Sequence, residues 1–181
     1  MVDEANNYLS LHTFFLGAAV RDAIDRFSLV ADDFADQANR TGLFRDDRLL
    51  REGFAAWIAE DHIKAAHVLV PQVEAGFRSL AGRLGRPTTK AHRVMKQARV
   101  VTTFGDLLDV ETAQALGAHG SNLVLHMRAL YADPRGHNLR NDLAHGLASP
   151  DRIHSGILMW VVHSLLLIGA WLIPDATSDA S

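Results

Sequence analysis

The chain has 181 residues, no cysteine, 48% hydrophobic and 22% charged residues, and a formal net charge of −3. Those values fit one folded domain with its own core, and they exclude disulfides, iron–sulfur clusters, thiolate zinc sites and a cysteine nucleophile. They also exclude a globally basic nucleic-acid binder, and the acidic start Met1-Val2-Asp3-Glu4 is unlike a secretory signal, so a cytoplasmic setting is expected.

The pattern along the chain is helical. Phe15, Ala19, Ile24, Phe27, Val30 and Phe34 recur at helical steps and predict one helix over about residues 9–38. Asn39-Arg40-Thr41-Gly42 reads as a break. A second helix is expected over about residues 46–84, with Leu50, Phe54, Trp57, Leu69, Val73, Phe77 and Leu80 facing the core and Pro71 kinking or dividing it. A short helix over about residues 90–100 would set Lys90, Arg93, Lys96 and Arg99 at steps of three in a basic stripe. The stripe reads as a solvated face or as an RNA-binding ridge. Residues 78–99 hold seven bases and no acid, while residues 1–61 hold twelve acids against six arginines.

A strand or irregular loop is expected near residues 101–111, then a helix over about residues 111–131 and a turn at Asp133-Pro134-Arg135-Gly136. Ser149-Pro150 opens the last helix as an N-cap followed by proline at the first helical position. That helix runs over about residues 153–173, long enough to span a bilayer. His154, His163, Ser155 and Ser164 within it favour a buried bundle or interface helix, so no membrane partner is expected. Residues 175–181 read as a disordered tail. The organisation expected is a single helical domain over residues 1–181, with an N-terminal extension to residue 50 and a core bundle over residues 51–174.

Between turn and last helix lies Leu139-Arg140-Asn141-Asp142-Leu143-Ala144-His145-Gly146. Arginine presents a planar fork of donors that suits phosphate, and histidine exchanges protons near neutral pH. Arg140 and His145 stand about 140° apart on an ideal helix, so the arginine side chain has to swing back, or a second copy has to supply the partner. Gly146 fits the position just past a helix end. By spacing alone the segment reads as an ordinary capped helix end. Glu74 and Arg78, four apart on one helix, read as an ion pair or as cleft-lining residues. The histidines show no HExxH or other zinc spacing and no phosphate-cradling glycine loop occurs, so neither metal nor cofactor is expected.

The segment Asn138-Leu139-Arg140-Asn141…His145-Gly146 resembles the HEPN superfamily (higher eukaryotes and prokaryotes nucleotide-binding). It is closest in pattern to the RNxxxHG-signature branch, which includes the endoplasmic-reticulum-membrane-associated RNA degradation protein of animals. The run from Leu69 to Arg78 is similar to a second stretch of that branch. The resemblance spans about residues 55–170 and leaves residues 1–50 unmatched. It implies an up-and-down bundle, so that the fold expected is all-α with about four to six helices. It further implies a homodimer with two motifs at one cleft, RNA as partner, and an antitoxin or fused domains as further partners, as in toxin or defence members.

The mechanism it implies is metal-independent cleavage of RNA by its own 2′-hydroxyl. His145 would act as general base or acid, Arg140 would neutralise the phosphorane, and Asn141 would hold the imidazole or a phosphate oxygen. The alternative is a catalytically inactive nucleotide- or RNA-binding module, or a dimerisation module, of a larger protein.

Overall fold

The computed structural model describes the backbone of residues 2–92, 95 and 97–171, and the side chains of residues 13–92, 95 and 97–171. The expected tail at residues 175–181 lies outside the described residues, as do Arg93 and Lys96. The described chain is mostly helical. It comprises α1 (Val2–Phe27), α2 (Ala31–Ala38), α3 (Arg48–Ile58), α4 (His62–Arg83), α5 (Phe104–Leu107), α6 (Val110–Ala115), α7 (Gly120–Met127), α8 (Leu139–Ala144) and α9 (Ser155–Ala170). A π-helical turn, Arg128–Ala132, continues α7, and a 3₁₀ turn, Pro150–Arg152, precedes α9. The helical segments are more numerous than the about four to six expected, because the long helices are divided.

Each division has a local cause. Ser28 (φ 51°) and Glu60 (φ 59°) adopt left-handed backbone and end α1 and α3, and Gly117 (φ 84°) separates α6 from α7. Asp61 then caps α4 by accepting the Lys64 N–H at 3.0 Å. Pro71, expected to kink or divide the helix, lies inside an unbroken α4. It sits on the exposed face, while Leu69, Val70, Val73 and Phe77 on either side of it are buried, so packing overrides the lost hydrogen bond. The face of the first segment that packs also differs from the one expected. Phe15 and Phe27 are 65% and 68% exposed, while Leu16, Val20 and Ile24 of α1 and Phe34 of α2 pack on the core.

The helix expected over residues 90–100 is instead a hairpin. β1 (Thr89–Ala91) pairs antiparallel with β2 (Arg99–Val101), with Thr89 opposite Val101 and Lys90 opposite Val100. Threonine and valine at the paired positions favour the pleated backbone. Lys90 and Arg99 therefore stand on two paired strands and not on one helical face.

α9 is the central helix. Ile157 to Val162, together with Ser164, Leu165 and Ile168, are buried against α4, α2 and α1. α2 lies in the stretch read above as an extension, yet its Phe34 stacks edge-on against Trp57 at 5.1 Å and belongs to the same core. No helix among the described residues is long and apolar enough to cross a membrane.

α9 meets the α7/π-turn segment through a buried polar network. The Ser164 hydroxyl donates to the Trp160 carbonyl (2.7 Å) and accepts from the Tyr131 hydroxyl (2.9 Å). Its remaining acceptor site takes the His126 ring at Nε2 (2.9 Å), so that nitrogen carries the proton. Burial, then the neighbouring His163, pushes His126 down to about 3 from an ordinary 6.5.

The folded state thus keeps His126 neutral while the unfolded chain takes up a proton below about pH 6.5. Stability is complete above that pH and falls, on this account, by about 1.4 kcal/mol per unit as the pH drops toward 3. Between pH 7 and pH 5 the melting temperature of the wild type should fall about 4–8 °C further than that of His126→Gln, which retains a donor toward Ser164. Equal falls in the two proteins would show that this histidine does not govern acid stability.

Candidate functional site

The motif occupies α8 and the residue that ends it. The preceding turn closes through the Gly136 N–H on the Asp133 carbonyl (2.9 Å), and hydrogen bonds from Arg135 hold the Asp133 carboxyl down at about 2. This loop docks on the π-turn: the His137 N–H donates to the Ala129 carbonyl (2.8 Å), and a Cβ at Gly136 would lie 2.1 Å from that oxygen, so only glycine fits. Asn138, left-handed at φ 50°, turns the chain into α8. Asparagine tolerates that conformation better than most residues.

Arg140 reaches across to α4. Its Nε donates to Glu74 Oε2 at 2.7 Å, and its Nη1 donates to Asn141 Oδ1 at 3.3 Å. Nη2 has no partner among the described residues, and the side chain is about one-third exposed. Glu74 also accepts from Arg78 Nη2 at 2.6 Å, and Arg78 Nη1 donates to the Thr102 carbonyl at 2.6 Å. Two guanidiniums thus share one half-buried carboxylate, and the group keeps a net positive charge. Glu74 and Arg78 line a groove of about 540 Å³ along α4, together with Pro71, Ala75, Ser79, Gly82 and Thr88.

Asn141 differs from its expected role at the imidazole. Its oxygen accepts from Arg140, and its Nδ2 donates to Asn138 Oδ1 at 2.8 Å, so both ends of the amide serve the arginine side of the motif. His145 caps the helix end, its backbone N–H on the Asn141 carbonyl at 3.0 Å. The imidazole is exposed and makes no hydrogen bond among the described residues. Gly146, at φ 68°, provides the left-handed stop expected of it. Arg140 and His145 therefore share one short helix and its cap without touching through a hydrogen bond.

The sequence assigned no role to Asn138 and Asp142, although both stand in the motif segment, and did not single out Arg152. Asn138 Nδ2 donates to Asp142 Oδ1 at 2.9 Å, and Asp142 Oδ2 pairs with Arg152 Nη1. The pattern of asparagine followed at three and four positions by Asn141 and Asp142 was the available signal. Arg152 lay on the far side of a Pro-containing turn and carried none. Burial, then the charges of Arg152 and His154, lowers His137 from its ordinary range.

Of the expected basic stripe, the two described residues are both engaged within the chain. Lys90 on β1 pairs with Asp106, and Arg99 on β2 donates to Thr89 Oγ1 at 2.9 Å. Arg86 pairs with Asp109 at 2.6 Å. Burial pushes the Asp109 carboxyl up, but hydrogen bonds, first those from Thr112, outweigh it and hold the group below its ordinary range. The acids missing from residues 78–99 arrive from α4, α5 and the start of α6. Among the described residues, no three His, Asp or Glu side chains converge as metal ligands would.

Glu74 and Arg140 should behave as a coupled pair. A double-mutant cycle with Glu74→Gln and Arg140→Met, followed by urea unfolding, should give a coupling of about 1 kcal/mol, since the pair is partly screened. The same cycle between Glu74 and Arg99 should give about zero. Equal values would mean that the carboxylate does not hold the motif arginine.

Comparison of the chain with protein-family models, with curated proteins and with solved structures gives no match in any of the three.

Proposed function

We propose that the chain is a metal-independent endoribonuclease of the HEPN type, an up-and-down bundle whose two copies bring Arg140 and His145 to one cleft. The observation that carries this reading is the state of the two motif side chains. Glu74 and Asn141 hold Arg140 with its Nη2 edge unengaged, and the His145 imidazole is exposed and unengaged at the adjoining helix end. A phosphate needs the first and a proton transfer needs the second.

In the reaction the RNA 2′-oxygen attacks the neighbouring phosphorus as one His145 removes its proton. The bond from phosphorus to the 5′-oxygen breaks as the other copy's His145 protonates that oxygen. Arg140 balances the charge that builds on the phosphorane oxygens. The products are a 2′,3′-cyclic phosphate and a 5′-hydroxyl.

The acid pairing of Arg86 and Lys90 favours a second reading, a module that binds a nucleotide or a second copy without cleaving. Affinity for RNA comes largely from phosphate neutralisation, which paired bases supply weakly.

Incubation with single-stranded and structured RNA in EDTA separates the two readings. The wild type should cut RNA to cyclic-phosphate ends and leave DNA of the same sequence intact. His145→Ala should lose about 10²–10⁴-fold in rate, and Arg140→Ala about 10²–10³-fold. Intact RNA throughout would favour the binding module, and cutting by all three proteins would place the activity elsewhere.

A further inference from the structure

We infer that Asp142 and Arg152 form a positioning pair that fixes the backbone carrying His145. The inference rests on the nuclease reading of the motif. None of its observations is a contact of Arg140 itself.

An exposed side chain such as His145 is placed only by its own backbone. The His145 and Gly146 N–H groups bond to the Asn141 and Leu143 carbonyls, and the loop that follows them closes on one residue. The Asp142 carbonyl accepts the N–H groups of Leu147 (2.7 Å) and Ala148 (3.2 Å), so His145 and Gly146 sit inside a loop whose two ends meet at Asp142. The Asp142 side chain is only 13% exposed, and both its oxygens are engaged, Oδ1 by Asn138 and Oδ2 by Arg152.

Arg152 then uses its second arm. Nη2 donates to the His137 carbonyl at 2.9 Å. One guanidinium fork therefore ties the turn before α8, the middle of α8 and the 3₁₀ turn that leads into α9. Lysine has three donors on one nitrogen but no planar fork, so it would hold these two acceptors with less fixed geometry. The pair does not touch the Nη2 edge of Arg140 or the imidazole of His145, so its action on the reaction is through geometry alone.

Positioning predicts a loss in turnover rather than in binding. Arg152→Gln should lower kcat by about 10- to 100-fold on RNA while KM stays within about twofold, because a small misplacement of a reacting group is costly. Arg152→Lys should fall between the wild type and Arg152→Gln. Hydrogen exchange of the Leu147 and Ala148 amides should accelerate in Arg152→Gln relative to α4 amides such as Val73.

A merely structural role would lower the melting temperature and the active fraction while kcat per folded molecule and those two amides stayed at wild-type values. That result would overturn the inference. If Asp142→Asn fails to fold, Arg152→Gln, at a half-exposed residue, still decides the matter. Should the wild type cut no RNA, the nuclease reading falls by itself. Unchanged exchange at Leu147 and Ala148 would then overturn the pairing, and selective acceleration would uphold it as the device that orders the loop.

Discussion

The site depends on the carboxylate of Glu74. It is 18% exposed and takes one guanidinium from its own helix and one from α8. A carboxylate in that setting is expensive to leave without a partner, and so are the guanidiniums. The shared group therefore couples two segments 66 residues apart in sequence by a need of each for the other. Replacing either arginine would leave a neutral ion pair, whereas together the two retain one positive charge at the edge of the groove along α4. That is the local condition for holding an anion beside the motif, in a chain whose total charge is negative.

α8 itself has six residues, too few for a stable isolated helix. It exists because both ends are held. On one side the polar chain runs from the Thr102 carbonyl through Arg78, Glu74 and Arg140 to Asn141 and Asn138; on the other it continues through Asp142 to Arg152 and the His137 carbonyl. The apolar support comes from Leu139, only 4% exposed, and from the π-turn, whose Ala129 carbonyl receives the incoming loop. Tyr131 of the same turn reaches Ser164 on α9, so the irregular helix joins the motif to the centre of the core. π-helical turns recur at functional sites because they re-aim side chains within an otherwise regular helix.

Some of this was legible in the chain and some was not. The apolar stripe of α4 and the near-continuous apolar run of α9 carry their period in the residues, and Gly146 announces the end of α8 by its conformational freedom. The breaks at Ser28 and Glu60 do not, since neither residue is a usual left-handed one and tertiary packing selects the conformation. The hairpin was concealed by bases at helical steps, although Thr89, Val100 and Val101 carried the strand preference. In the candidate site, Arg140, Asn141 and His145 stand together in sequence but were singled out by resemblance, since their spacing alone reads as a capped helix end; the four-residue spacing of Glu74 and Arg78 announced their ion pair. Asn141 serves Arg140 rather than the imidazole because Asn138, turned left-handed, presents an oxygen to it. The pairing of bases with Asp106 and Asp109 depends on chain reversal, which composition does not encode.

The account centres on a phosphate bound between Arg140 and His145. A structure of the protein with RNA carrying a single 2′-deoxy sugar at the cleaved position tests it most directly, since that substrate binds without its nucleophile. The account predicts one phosphate on the Nη2 edge of Arg140 with a His145 imidazole within hydrogen-bond reach of the adjoining sugar or 5′-oxygen. RNA seated along the Lys90 and Arg99 hairpin, with Arg140 still held only by Glu74 and Asn141, would contradict it.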